Sequence, residues 1–396
     1  QLKGVKMSVL NNIDMSGIVG NKNIGIKIAQ EIENMSWADS KWSAFLGRSE
    51  NRAIRTFHTP NDEPFRPRIK AALNGTGVRG NADFDTNTDR LDIYSQTIFP
   101  TIIGNSLNSG LKQYSRMEHI DFVREAKDSL TNWMRETRDK QFCAALANDI
   151  TDCVVADATS GVKDSSAKTS VAEASKEIIK GDTLKVATIK AAIKQAKIGR
   201  TFQGKARFQM KPTKITRTRE QGGSFAYISF VILLDTNQIY QLLNDPEWRE
   251  MQKSAPRDDL ARTFTGVVGM IDGCLVYDMG CWAVDVAGLV DSETPDDEYK
   301  AFINTDNVST LTLPSSYANN QPVSIGYLIG ANALLLAGAN EPAFYVDEFD
   351  LGRKIKVGID RLFGIAKSKF KPNEEGVLSK YANTDLATIG IFSSKE

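Results

Sequence analysis

Histidine is scarce in this chain of 396 residues: His58 and His119 are the only two. A histidine-rich metal site is thereby excluded, and a serine or cysteine relay through imidazole has just two candidates. Cysteine is scarce too. Cys143, Cys153, Cys274 and Cys281 form no C-x-x-C pair, and four are few for a disulfide-built scaffold. They read as reduced, intracellular thiols that fill core. Net charge is missing as well, since 49 Lys and Arg balance 49 Asp and Glu, so no global field draws the chain to nucleic acid or membrane. No apolar run reaches membrane-spanning length, and the N-terminus carries no signal-peptide pattern. The G-x-S-x-G, Walker and H-E-x-x-H motifs are all lacking. The first residue is Gln1, which points to a truncated start or a removed leader.

What the chain does have is a long amphipathic stretch, 115–148. Ser115 and Glu118 stand three apart, as in a capping box. Phe122, Ala126, Leu130, Trp133 and Met134 then recur every three or four residues, followed by Phe142, Ala145 and Leu146. Arg124, Asp128, Arg135, Glu136, Arg138 and Asp139 take the other faces, and no Pro or Gly interrupts. Such a rod suits a structural spine.

Before it, residues 1–62 read as an arm with two apolar patches, Ile24/Ile28/Ala29/Ile32 and Trp37/Trp42/Phe45/Leu46. Pro60, Pro64 and Pro67 then force extended chain. The aromatic patch, with Trp37, Trp42 and Phe45, suits docking on a neighbouring subunit or on its own core. Residues 68–114 form a hairpin candidate: alternating Ile69, Ala71 and Leu73 lead up, Leu91, Ile93, Ile98, Ile102 and Leu107 return, and a polar Gly-punctuated loop joins them. A lone hairpin is marginal in water, so it must rest on its own domain or on an adjacent subunit.

After the spine, 156–180 reads as an exposed excursion and Leu184–Ile198 as a helix stopped by Gly199. Residues 185–219 hold eleven Lys and Arg and no acid, whereas 291–306 hold six acids against Lys300. FAYISFVILLDTNQIYQLLN reads as a strand buried on both faces followed by a short helix. IDGCLVYD reads as a strand with an Asp-Gly turn, Ala331–Ala339 as a small-residue helix, and the tail as alternating strands. The sum is α+β without βαβ rhythm.

Two motif matches fail on context. Gly75-Thr-Gly77-Val-Arg-Gly80 fits a dinucleotide fingerprint, yet NADFDTNTDR follows where a helix must begin. Asp83, Asp85, Asn87 and Asp89 alternate like a calcium loop, but Thr88 stands where Gly is needed and Tyr94 where a bidentate Glu belongs. The expectation is therefore no enzyme, no cofactor and no metal. Within the basic tract, Lys205, Arg207, Lys211, Lys214, Arg217 and Arg219 are candidates for contact with another subunit's acidic surface or with phosphate backbones, or for a solvated face.

Several blocks, in order, carry a resemblance: LNGTGVRGNADFDTNTDR, IDFVREAKDSLTNWMRETRDKQF, LLNDPEWREMQKSA, FTGVVGMIDGCLVYD, and IGANALLLAGANEPAFYVDEFDLGRKIKVGIDRLFGIAKSKF. Together the chain resembles the major capsid proteins of tailed bacteriophages with the Hong Kong 97-type fold, in a podovirus-type subgroup. The resemblance implies an N-terminal arm (1–62), an extended β-hairpin or E-loop (63–114), a peripheral domain (115–235 and 345–396) with the spine at 115–148, and an axial domain (236–344). It implies a shell protein that builds hexamers and pentamers of an icosahedral capsid around packaged double-stranded DNA, assembled in the host cytoplasm. Portal, scaffold or decoration proteins would be its partners, with no membrane. The E-loop tip, with Thr76, Val78, Arg79, Asp83, Phe84, Asp85, Asp89 and Arg90, would then touch the next subunit. The alternatives are an encapsulin-type compartment and a nucleotide-binding enzyme built on GTGVRG.

Overall fold

The structure is a computed structural model. It describes residues 22–38, 40–58, 66–70, 78–80, 93–95, 97–98, 100–109, 122–147, 150–164, 168, 171–199, 209–218, 224–254, 267–280, 323–338, 342–351, 353–370 and 383–395.

Helix α1 (Lys22–Ala38) comes first, and a 3-10 turn at Ser43–Phe45 leads into β1 (Leu46–Gly47) and β2 (Ile54–His58). β3 (Arg68–Lys70) pairs antiparallel with β4 (Ile93–Ser95), and β5 (Thr101–Asn108) follows. Helix α2 (Phe122–Ala147) has 26 residues, about 39 Å of rod. Then come β6 (Cys153–Val155), α3 (Val171–Ser175) and α4 (Val186–Ile198), the last closed by Gly199 in the left-handed conformation. A second hairpin, β7 (Thr213–Thr218) with β8 (Ser224–Ser229), precedes β9 (Val231–Leu234), α5 (Thr236–Asn244) and α6 (Pro246–Ser254). The remaining strands are β10 (Val267–Ile271), β11 (Cys274–Asp278), β12 (Val323–Ile329), β13 (Leu334–Gly338), β14 (Ala343–Phe349), β15 (Lys354–Lys367) and β16 (Thr388–Ser394).

Two six-stranded sheets organise these elements. The first runs β1-β2-β13-β15-β14, with β5 also on β15; the second runs β10-β11-β9-β12-β16-β6. The second sheet is buried through its middle. Every residue of β9 and β13 is buried, as their unbroken apolar runs demand. The Asp272–Gly273 turn between β10 and β11 has φ +48 and +77, the tight hairpin geometry that this dipeptide favours. Asp235 caps α5 by accepting the Gln238 N–H at 2.7 Å.

The sequence-level helix at Ala331–Ala339 is corrected here. Those residues turn at Asn332 (φ +59) and then extend as β13, between β2 in parallel and β15 antiparallel. Their helix-friendly Ala and Leu are outweighed by burial on both sheet faces, and at Gly338 any Cβ would meet the Leu362 carbonyl oxygen. The spine is a helix over 122–147; its expected first turn and capping box at 115–121 lie outside the described residues. The range 236–344 is not one sheet. β10–β12 share theirs with β6 and β16, whereas β13 belongs to the other.

α2 joins the two cores. Ala126, Leu130 and Met134 pack with Ile28 and Ile32 of α1 against Ile355, Val357 and Ile359, the alternate residues on one face of β15. Its last turns, Phe142–Ala147, enter the large core, to which both sheets contribute. Polar links stitch the seam between sheets. Lys367 and Asp385 form a buried ion pair at 3.2 Å, and the Thr151 N–H donates to Asp385 at 3.0 Å.

Candidate functional site

The groups with the most unusual environments gather where α1 crosses α2. Arg138, 1% exposed, donates to the Ser36 carbonyl at 2.8 Å and to its hydroxyl at 3.2 Å. Its guanidinium carbon lies 3.2 Å from the centroid of the Trp37 ring, a cation–π stack. Glu33 accepts from Trp37 Nε1 and from the Arg361 guanidinium, and stands 3.9 Å from Arg138. One buried carboxylate thus serves two buried cations from different elements. Burial pulls the Arg138 pKa down to about 9, Glu33 pushes it back up, and the guanidinium stays protonated at neutral pH. Burial likewise raises the Asp139 carboxyl, against the Ser40 hydroxyl that donates to it at 2.7 Å. At the rim, Lys127 reaches Glu31 at 2.6 Å.

Beside this knot opens a cleft of about 220 Å³, lined by Glu33, Trp37, Arg48, His58, Arg361 and Phe363 among others. Glu33 anchors α1, α2 and β15 through Oε1, which faces all three donors, while its Oε2 is buried without a hydrogen-bond partner among the described residues. Among the described residues no group of three or more His, Cys, Asp or Glu could hold a metal ion. Cys143, Cys153 and Cys274 are buried and in no disulfide among the described residues, and burial pushes the Cys143 thiol well above its ordinary range, away from nucleophile chemistry.

The expected contact residues divide sharply. Trp42 and Phe45, expected to reach a neighbour or the chain's own core, are each 1% exposed in that core, which leaves them no face for a neighbour. They form an aromatic bridge. Trp42 lies 5.3 Å from Phe142 of α2, and Phe45 lies 5.0 Å from Tyr277 of β11, edge to face. Trp37 is half-buried under Arg138. Of the hairpin tip, Val78 is half-buried and Arg79 exposed; Thr76, Asp83, Phe84, Asp85, Asp89 and Arg90 lie outside the described residues.

In the basic tract, Lys211 is exposed just before β7, Lys214 is exposed within it, and Arg217 stands in the same strand. Lys205, Arg207 and Arg219 lie outside the described residues, as does the acidic stretch 291–306. Of the G-x-G-x-x-G stretch, only residues 78–80 are described, with Gly80 at φ +66. The knot of Glu33, Arg138 and Arg361 was not legible beforehand: its members are 105 and 223 residues apart in sequence, and no local spacing joins them.

Comparison with known proteins gives a consistent picture. A family model described as "Phage capsid protein" matches residues 65–395. A major structural protein of Helicobacter pylori bacteriophage KHP30 is 38% identical over 403 residues, covering 98% of this chain and 99% of that protein. The head structure of Helicobacter pylori bacteriophage KHP40 is similar with a TM-score of 0.75 at 37% identity, covering 98% of this chain and 100% of that one. A capsid structure of bacteriophage KHP30 gives 0.73, also at 37% identity, covering 97% and 99%. With its mixed α+β architecture and a match over most of its length, the chain belongs to the phage capsid protein family.

Proposed function

We propose that this protein is the major capsid subunit of a tailed phage, self-assembling through a Hong Kong 97-type fold into hexamers and pentamers of an icosahedral shell. The observation that carries this reading is the near end-to-end similarity, at 37% identity and a TM-score of 0.75, to a phage head structure. The phage structural protein that is 38% identical is matched over 99% of its own length.

In this reading the peripheral domain is 115–235 with 345–396 and carries the spine, and the axial domain is 236–344, with α5, α6 and β10–β13. The β3–β4 pair is the base of an E-loop whose far end, with Thr76, Val78, Arg79, Asp83, Phe84, Asp85, Asp89 and Arg90, lies across the next subunit. Many modest contacts of this kind, repeated around closed rings, add up to a stable shell. The exposed Lys211 and Lys214, with the rest of the basic tract, face either packaged double-stranded DNA or an acidic surface on a neighbour. Assembly would take place in the host cytoplasm, with portal, scaffold or decoration proteins as further partners. An encapsulin-type store shares the shell principle, but near-full-length relatives that are phage head proteins favour the viral container. Deletion of Thr76–Asp89 tests the reading. A subunit that folds yet no longer builds particles in electron micrographs is expected, and normal particles from the deletion would count against it.

A further inference from the structure

The hairpin joining β14 to β15 ends in a turn whose composition works against its shape. Phe349 and Lys354 are the last paired residues, and the Arg353 N–H donates to the Asp350 carbonyl at 3.1 Å. Asp350 and Leu351 both sit in the left-handed region, at φ +57 and +56. Aspartate tolerates that conformation, whereas a leucine there crowds its Cβ against the following carbonyl. No packing among the described residues compensates, because Leu351 is fully exposed.

Asp350 has a local use for its side chain. Its carboxylate accepts from Arg353 at 3.0 Å and lies 3.4 Å from Lys354, and these cations hold its pKa below the ordinary range. Lys354 in turn stands 5.8 Å from the centroid of the Phe349 ring. The charged residues thus tie the turn together and pair with each other. The apolar residue at its apex carries strain and exposed surface at once, with neither recovered locally. A turn shaped by local needs alone would hold Asn or Gly at that position.

We propose that Leu351 is a docking knob that enters an apolar recess on a second copy of this chain when subunits associate. This rests on the shell reading above and extends it to a named contact. A second copy is the fitting partner for two reasons. Every subunit in a shell presents the same tip, so a contact contributed by one leucine is multiplied many times over. The carboxylate at the tip is also spent on Arg353 and Lys354, so what the apex offers a partner is the fully exposed Leu351 side chain rather than an unpaired acid.

Two variants test it, each read for melting temperature of the unassembled subunit and for particle yield by sedimentation. Leu351→Asn relieves the backbone and removes the apolar surface. Its melting temperature is expected at or above that of the wild type, by on the order of 1–2 °C, while particle yield at equal concentration falls about tenfold or more. Leu351→Met, which keeps apolar surface, is expected to assemble like the wild type. Wild-type yield from Leu351→Asn would overturn the proposal. So would a lower melting temperature alongside lost assembly, because that would make Leu351 a folding residue. Particles from wild type and Leu351→Asn alike would sink the knob and spare the shell; a wild-type chain that never forms particles would sink both.

Discussion

The second sheet rests on a wide aliphatic floor: Val231–Leu234, Leu275, Val276, Ile325, Leu328, Ile389 and Ile391 are all buried in one continuous core. The first sheet meets α2 through a smaller cluster of eight buried residues, and its α1–α2 corner is closed by Glu33, Arg138 and Arg361. Hydrophobic burial is non-directional and tolerates many partners, whereas a buried carboxylate between two guanidiniums holds one geometry and fails if a member is lost. The charge knot therefore fixes the angle at which α1 lies on the spine, while the aliphatic core supplies bulk stability.

Three changes probe that contrast, beginning with the most damaging. Glu33→Ala strands two buried cations and is expected to cost about 3–5 kcal/mol in denaturant unfolding. Replacing Glu33, Arg138 and Arg361 together by apolar residues of similar size should recover most of that loss. If the single and triple variants were equally unstable, the knot would be ordinary packing. Next, Leu233→Ala in the second sheet should cost about 3 kcal/mol, mostly through the cavity it leaves, and should leave the α1–α2 corner intact by amide exchange.

The smallest expected effect is on pH dependence. Burial pushes the Asp235 carboxyl up to about 6, against the Gln238 N–H that favours its ionised form. An unfolded aspartate titrates near 3.9, so between about pH 4 and 6 the folded chain holds more protons than the unfolded one. This residue's contribution to stability accordingly falls as pH rises through that window. Asp235→Asn, which keeps the helix cap, should flatten that part of the pH–stability profile, and an unchanged slope would show that another group is responsible.

Local features were readable in advance. The Asp-Gly turn at 272–273, the Gly199 stop, the buried FVILL strand and the body of the spine each follow from a few neighbouring residues. What escaped was long-range. The run Leu334–Gly338 carries Ala and Leu that suit a helix, and only its place between β2 and β15 makes it a strand. Trp42 and Phe45 looked equally able to grip a neighbour, and their burial was decided by Phe142 and Tyr277, distant in sequence. Leu351 offered a faint local signal, a Leu between Asp and Gly at a hairpin end, which gains meaning only with the left-handed backbone in view.

The most direct test of the account is the mass of the purified wild-type chain at assembling concentration, by sedimentation with electron microscopy of the same sample. Closed particles in the megadalton range, built from rings of five and six, are expected. A chain that stays at 43.7 kDa at every concentration, with or without its phage partners, would contradict it.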